Sequence, residues 1–431
     1  MKICVVGLGK IGLPLAVQYA TKGHQVIGAD INPQTVDLVN DGVEPFPGEA
    51  HLAGLLRQAV DAGNLRSTLD TSSAVAESDA VVVVVPLFVD DDARPDFGWM
   101  DAATTSIGAG LTAGTLVSYE TTLPVGTTRD RFGPMLAELS GLVPGQDFHL
   151  IFSPERVLTG RVFADLRKYP KLVGGIDEAS EARGIDFYES VLDFDERDDL
   201  PRPNGVWPMG SAEAAEMTKL AETTYRDVNI GLANQFAKFS DKANIDVYAV
   251  IEACNSQPYS HIHQPGIAVG GHCIPVYPRL YLHNDPDATI VRAAREANAS
   301  MPEYAVRRLE AEFGDLSGAT VAVLGAAYRG GVKETAFSGV FDVVAELRER
   351  GVKVRVHDPM FSDDELAGFG WDPYHLGEHV DAVIIQADHA AYETLLPSDL
   401  PSAKCVLDGR RSLDRGEWGC AMTVQIGQGR T

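Results

Sequence analysis

The chain has 431 residues, and its 36 lysines and arginines are outnumbered by 61 aspartates and glutamates, a formal net charge of -25. That length holds two or three domains with proper cores, while the acid excess repels nucleic acid and anionic membrane, so an anionic ligand needs a local cluster of cations and backbone amides. Five scattered cysteines with no Cys-x-x-Cys pair argue against a disulfide framework or a metal site, and no leader or membrane-length apolar run is seen, so a soluble cytoplasmic protein in a reducing compartment is expected.

Residues 2–6 read as a short apolar strand that runs into Gly7-Leu8-Gly9-Lys10-Ile11-Gly12, an apolar helix ending near Lys22-Gly23, and a strand Gln25–Ala29 closed by Asp30. Glycines at these places permit a tight turn and close approach of backbone to a pyrophosphate, with the helix N-terminus supplying amides and a positive dipole end. Asp30, 18 residues beyond Gly12, would accept hydrogen bonds from ribose hydroxyls and disfavour a 2′-phosphate. The expected cofactor is therefore NAD rather than NADP, held by Gly7, Gly9, Lys10, Ile11, Gly12 and Asp30, with Pro86 beside them just past the next strand.

Further strands are expected at Ala80–Val85, Leu116–Tyr119 and His149–Phe152, separated by polar or helical stretches as a doubly wound parallel sheet requires. This gives a first domain over residues 1–200, with Asp193–Gly205 as an acidic, proline-containing linker. From Ser211 to about Lys242 the pattern is helical, with Met217, Leu220, Ala221, Thr224, Val228 and Leu232 spaced mostly three or four apart. Such a helix can be a spine between domains and a dimer face, and it opens a central region over 205–312 whose second helical stretch runs from about Ala288 to Glu312.

The pattern then restarts. Thr320–Leu324 reads as a strand, Gly325-Ala326-Ala327-Tyr328 as a turn, Val340–Gly351 as a helix, and Lys353–His357 as a strand ending in Asp358, with more strands at Ala382–Ile385 and Cys405–Leu407. The fold class expected is α/β, two Rossmann-like doubly wound parallel-sheet domains joined by a long central helix. The second domain, 315–431, lacks the three-glycine turn, so it takes a different nucleotide or only supports the fold.

Between the domains lies Pro265-Gly-Ile-Ala-Val-Gly-Gly-His-Cys273-Ile-Pro-Val-Tyr-Pro278. Cys273 reads either as a small buried hydrophobe or as a nucleophile. In a chain that holds a hydride acceptor, a thiolate can trap an aldehyde as a thiohemiacetal, which a second NAD⁺ oxidises to a thioester that water opens to a carboxylate.

In this order, the fingerprint, central helix, cysteine loop and second α/β unit resemble the UDP-glucose/GDP-mannose dehydrogenase family over essentially the whole chain. Three segments look most like its UDP-N-acetylmannosamine and UDP-N-acetylglucosamine branch: Ser153-Pro154-Glu155-Arg156-Val157-Leu158, Arg226-Asp227-Val228-Asn229-Ile230 and Gly270-Gly271-His272-Cys273-Ile274-Pro275. UDP-glucose enzymes usually carry serine or a similar residue in place of His272.

The resemblance implies Cys273 as nucleophile, Lys219 stabilising the developing C6 alkoxide, and Glu155 as general base or organiser of the hydrolytic water. Thr122 would help hold that water near the nicotinamide. Arg329 stands where the family has a lysine on the substrate diphosphate, a contact a guanidinium can make bidentately. Arg156 and Glu155 would border the substrate, and Gly266, Gly270 and Gly271 either let backbone approach the sugar or punctuate the loop.

Three departures accompany the resemblance. Tyr277 replaces an aspartate and Thr223 an asparagine near the lysine and the water, and Ala336 replaces an arginine in the phosphate segment. Thr223 can still bond a water, whereas a tyrosine supplies no negative charge at neutral pH. Arg329, Lys333 or Arg410 could compensate for Ala336. The function expected is NAD-dependent four-electron oxidation of a UDP-sugar C6 hydroxymethyl group, best a UDP-N-acetylhexosamine, by at least a homodimer. A UDP-glucose or dTDP-glucose 6-dehydrogenase, or a catalytically weakened nucleotide-sugar sensor, are the alternatives.

Overall fold

The computed structural model describes residues 1–90, 94–414, 418 and 423–429. The chain forms two compact units, Met1–Ala221 and Glu222–Thr431.

In the first unit the strands are β1 (Lys2–Val6), β2 (Gln25–Ala29), β3 (Leu65–Thr68), β4 (Ala80–Val83), a small hairpin β5 (Phe88–Val89) and β6 (Pro95–Asp96), then β7 (Leu116–Tyr119), β8 (His149–Phe152), β9 (Lys171–Gly175) and β10 (Val206–Pro208). Eight of them build one sheet in the order β10-β9-β8-β7-β4-β1-β2-β3. Its pairs are parallel except β8 with β9, where the chain reverses. Every residue of β4 and β7 is buried, as expected of strands covered by helices on both faces, so Ala80-Val81-Val82-Val83 reads as a continuous apolar run. The order reverses between β1 and β4, and the crevice beyond their carboxyl ends is the topological switch point of such sheets. After the irregular stretch that sequence reading marks as a linker, β10 returns to pair with β9, so the sheet continues past residue 200.

The helix Ala212–Ala243 is unbroken and carries the chain from the first unit into the second. The single helical stretch expected from 288 to 312 is two helices, Thr289–Ala299 and Met301–Phe313, meeting at Ser300. Pro302 explains the break: its missing N–H and fixed φ are tolerated in the first turn of a helix and not in its interior.

The second unit's sheet has strands β11 (Thr320–Leu324), β12 (Lys353–His357), β13 (Asp372–Pro373), β14 (Ala382–Ile385), β15 (Cys405–Asp408) and β16 (Thr423–Gln425). They lie in the order β13-β12-β11-β14-β15-β16, all parallel, with an apolar core on each face. Cys4 on β1 of the first unit and Cys405 on β15 are buried strand residues; burial pushes their thiols up to about 12 and about 11, which keeps them protonated. Cys420 lies outside the described residues. No helix among the described residues is long and apolar enough to cross a membrane.

Candidate active site

At the switch point the glycines answer to geometry. Gly7 has φ +93°, and a Cβ there would press on the Val84 carbonyl at 3.2 Å. A Cβ on Gly12 would lie 1.8 Å from the Gly7 oxygen, so the turn closes only without one. Gly9 differs, with nothing within 4 Å of its missing side chain. It is the open side of the turn, where a phosphate can approach backbone. The following helix, Gly12–Thr21, has no capping side chain, which suits an anion at its N-terminus.

Asp30 is fixed by accepting from the Leu8 amide at 2.7 Å and the Asn32 amide at 2.8 Å. Lys10 and Pro86 are exposed and Ile11 is half-buried. The Thr121 hydroxyl donates to the Val85 carbonyl at 2.6 Å, tying the chain after β7 to the chain after β4, and Thr122 is buried next to it. Turn, helix end and acid together fit a dinucleotide.

Behind this crevice lies a charge cluster that sequence reading did not find. Lys171, the first residue of β9, donates to Glu120 Oε2 at 2.8 Å and to Glu155 Oε2 at 2.9 Å. Glu155 Oε1 also accepts from the amides of Arg156 (2.7 Å) and Val157 (3.2 Å). Glu120 Oε1 accepts from the hydroxyls of Tyr188 (2.6 Å) and Tyr19 (3.4 Å). Burial raises the Glu120 carboxyl more than Lys171 lowers it, leaving it pushed up to about 7. For Glu155 burial is outweighed by Lys171 and the Arg156 amide, which hold its carboxyl below the usual range. Three donors on its oxygens hold Glu155 as an anion.

On the central helix Glu216 is fully buried. It accepts from the Gly126 amide at 2.6 Å, the Thr128 amide at 2.9 Å and the Thr128 hydroxyl at 2.7 Å. The loop that follows Thr122 is thereby bound to the helix turn that carries Lys219. Burial, opposed by those donors, pushes Glu216 up to about 7. Lys219 and Thr223 are also buried, one helical turn apart.

Cys273, in the second unit, is half-buried. Its carbonyl accepts from the Tyr277 amide at 2.9 Å, so Tyr277 serves as the opening residue of the helix Tyr277–Asn284. Both ends of the loop are fastened by one buried polar network. At its start the Gly266 amide donates to Asn234 Oδ1 at 2.9 Å, Asn234 Nδ2 donates to Asn298 Oδ1 at 2.9 Å, and Asn298 Nδ2 donates to Asp227 Oδ1 at 2.8 Å. At its end Arg295, 3.3 Å from the Asp227 carboxylate, reaches the Ile274 carbonyl at 3.4 Å. Asp227 Oδ2 alone in this network is left without a hydrogen-bond partner, and the continuous run of buried hydrogen bonds restrains the loop it holds.

Gly270 and Gly271 lie against the second unit's own turn: a Cβ on Gly270 would meet the Tyr328 Cβ at 2.6 Å, and the Gly271 amide donates to the Ala336 carbonyl at 2.8 Å. Ala336 therefore contributes backbone. Among the cations near it, Arg410 donates to the Gln386 carbonyl at 2.8 Å and to Ala268 at 3.1 Å, placing its guanidinium on the cysteine loop beside Gly266. Lys333 is engaged by Glu365 at 2.6 Å, and Arg329 is exposed, its Nε donating to the Tyr328 hydroxyl at 3.3 Å.

Asp358 ends β12 as Asp30 ends β2, but its surroundings differ. It is buried, and accepts from the amides of Ala326 (2.8 Å), Ala327 (3.0 Å) and Met360 (2.9 Å) and from His389 Nε2 at 3.0 Å. His389 Nδ1 accepts from the Gly331 amide at 3.3 Å, which assigns the neutral tautomer with its proton on Nε2.

Residues 1–192 match the NAD binding domain of the UDP-glucose/GDP-mannose dehydrogenase family, residues 213–300 its central domain and residues 322–415 its UDP binding domain. The chain belongs to the UDP-glucose/GDP-mannose dehydrogenase family. A UDP-N-acetyl-D-mannosamine dehydrogenase of Pyrococcus horikoshii is 34% identical over 422 residues, covering 95% of each chain. Another, from Salmonella typhimurium, is 36% identical over 325 residues, covering 74% of each. Among solved structures, the UDP-D-ManNAc dehydrogenase of P. horikoshii superposes with a TM-score of 0.88 at 32% identity over 100% of both chains. A UDP-glucose dehydrogenase of Pyrobaculum islandicum gives 0.85 at 27% identity, over 99% of this chain and 97% of that one.

As a member of this family the chain is an NAD-dependent nucleotide-sugar dehydrogenase. The glycine turn and the Glu120–Lys171–Glu155 cluster fall in its NAD binding domain, Glu216, Lys219 and Cys273 in the central domain, and Asp358 and Arg410 in the UDP binding domain.

Proposed function

We propose that this dehydrogenase converts the C6 hydroxymethyl group of UDP-N-acetyl-D-mannosamine, or a close UDP-N-acetylhexosamine, to a carboxylate through a thiohemiacetal and a thioester on Cys273. NAD⁺, when bound, supplies the hydride acceptor for both oxidations. Gly7, Gly9, Lys10, Ile11, Gly12, Asp30 and Pro86 are its binding residues, within a domain assigned to 1–200. Lys219, on a helix turn fixed by Glu216, stabilises the alkoxide that forms as the hydroxyl loses its proton. Glu155, Thr122 and Thr223 handle the water that opens the thioester. Arg156, Gly266, Gly270, Gly271 and Arg329 border the sugar and diphosphate, with residues 205–312 as the cysteine and dimer domain and 315–431 as the nucleotide-sugar domain.

The observation that carries the covalent route is the fastening of the Cys273 loop at Gly266 and Ile274 by a single buried network, the preorganisation a nucleophile requires. The sugar assignment is supported by the names of the relatives above. A reducing cytoplasm keeps Cys273 a thiol. The exposed faces of Tyr225, Leu232, Phe236 and Phe239 on the central helix support a homodimer.

The test is NADH yield per sugar across UDP-N-acetyl-D-mannosamine, UDP-N-acetyl-D-glucosamine, UDP-glucose and dTDP-glucose, with products identified by mass. About two NADH and a carboxylate from an N-acetylated sugar are expected, and Cys273→Ala should abolish carboxylate formation. Uronate made at the native rate without Cys273 would end the covalent reading, and a strong preference for UDP-glucose or dTDP-glucose would move the substrate to the alternative that Tyr277 and Ala336 suggest.

A further inference from the structure

In the first unit two carboxylates share one ammonium. Lys171 Nζ is 2.8 Å from Glu120 Oε2 and 2.9 Å from Glu155 Oε2, and Glu120 and Lys171 are almost sealed from water. The titratable groups facing the cluster from the packed elements are Tyr19 on the helix Gly12–Thr21 and Tyr188 on the helix Glu178–Val191. The Arg156 side chain is directed to the Pro170 carbonyl. With all three central groups ionised the cluster carries one net negative charge in an interior of low polarity, a state that favours uptake of one proton.

The partners decide where that proton resides. Glu155 is held by the Lys171 ammonium and by the amides of Arg156 and Val157, which only donate. Apart from Lys171, Glu120 is held by the hydroxyls of Tyr188 and Tyr19, and Tyr188 in turn lies 2.7 Å from the Ser118 hydroxyl. A hydroxyl can rotate to accept from a protonated carboxyl, and an amide cannot. The upward displacement of Glu120 and the downward displacement of Glu155 agree with this division.

We propose that Lys171 and Glu120 are positioning residues of the hydrolytic half-reaction: Lys171 pins Glu155 as an anion, and Glu120 takes up, through Lys171, the proton that the attacking water gives up. This rests on the assignment of Glu155 to the water-handling step. As the water oxygen bonds to the thioester carbon and the C–S bond breaks, one water proton passes to Glu155, and the other leaves the new carboxyl group for the departing Cys273 sulfur, which becomes a thiol again. An ammonium proton of Lys171 moves to Glu120, and Lys171 recovers one from Glu155. Nothing is oxidised or reduced in this step, and the net change in the cluster is one proton on Glu120, returned to solvent by the reverse path.

The experiment is the pH profile of uronate formation from UDP-N-acetyl-D-mannosamine and NAD⁺, from about pH 5.5 to about 9, for the native chain and the variants Glu120→Gln, Glu120→Asp and Glu155→Gln. The native profile should show an acid limb near the Glu120 titration, about 7. Glu120→Gln should lose that limb and slow turnover about tenfold or more while still binding NAD⁺ in a fluorescence titration. Should Glu120→Gln fail to fold, Glu120→Asp should keep the limb but displace it, and an unmoved limb overturns the inference. An intact limb in Glu120→Gln, together with lost uronate in Glu155→Gln, overturns it while leaving the role of Glu155 standing. Uronate made at the native rate by Glu155→Gln removes that role and the inference together.

Discussion

Glu216→Gln separates charge from shape at a carboxyl buried on the central helix. The folded chain raises Glu216 from its ordinary 4.5 to about 7, so the folded state binds this proton more tightly than the unfolded state does. Stability from this group is therefore fully present below about 4.5 and is lost as pH rises through about 7. The whole loss is about 3 kcal/mol, of which about 2 kcal/mol falls between pH 5.5 and pH 8, a range that avoids mass protonation of the chain's 61 carboxylates. Glutamine does not titrate, but its amide NH₂ must face either the Gly126 amide or the two donors of Thr128, a mismatch costing about 1–3 kcal/mol at every pH. The variant should thus melt below the native chain at pH 5.5, and the gap should narrow or reverse at pH 8. In a unit of this size 1 kcal/mol moves a midpoint about 2–4 °C, so paired thermal melts should show the gap change by about 4–8 °C. A gap that is equal at both pH values would mean that the three donors outweigh burial and Glu216 is ionised throughout, refuting the reasoning.

The glycine turn makes a contrast of its own. Gly12→Ala puts a methyl 1.8 Å from the Gly7 oxygen and should cost the fold or weaken NAD⁺ binding about 100-fold, whereas Gly9→Ala, with nothing within 4 Å, should leave the melt unchanged and weaken NAD⁺ binding about tenfold by blocking the pyrophosphate. Melts and NAD⁺ titrations of both variants check this, and matched behaviour would count against the assigned turn. Phe239, 63% exposed on the central helix, should when changed to Asp convert a dimer to monomers in sedimentation velocity with little change in the melt; an unchanged sedimentation coefficient would place the contact elsewhere.

The parts of the fold that sequence alone discloses are those whose signal is local. The run from Lys2 to Asp30 carries apolar strands, a glycine turn and an acid at fixed spacing, and the structure has each. The central helix is legible because its apolar residues recur at helical spacing over many turns. Lys171 and Glu120 were not, since a lysine opening an apolar strand and a glutamate closing one look like ordinary strand ends. Only the pairing of β9 against β8, in the opposite direction, brings the start of one strand to the ends of its neighbours. The fastening of the cysteine loop was hidden for the same reason, since Asn234 and Asn298 stand 64 residues apart. Pro302 was visible, but whether a proline kinks a helix or starts a new one depends on the packing around it.

The two acids that end β2 and β12 have a further consequence. Asp30 binds two amides of its own neighbourhood and remains half-exposed, while Asp358 is closed over by three amides and His389. A ribose diol can be recognised by the first carboxylate, whereas the second is buried and already engaged by four donors. Two repeats of one architecture thus cannot trade ligands. An enzyme that must seat a dinucleotide and a sugar nucleotide at the same moment avoids self-competition between its halves by leaving one acid available and burying the other.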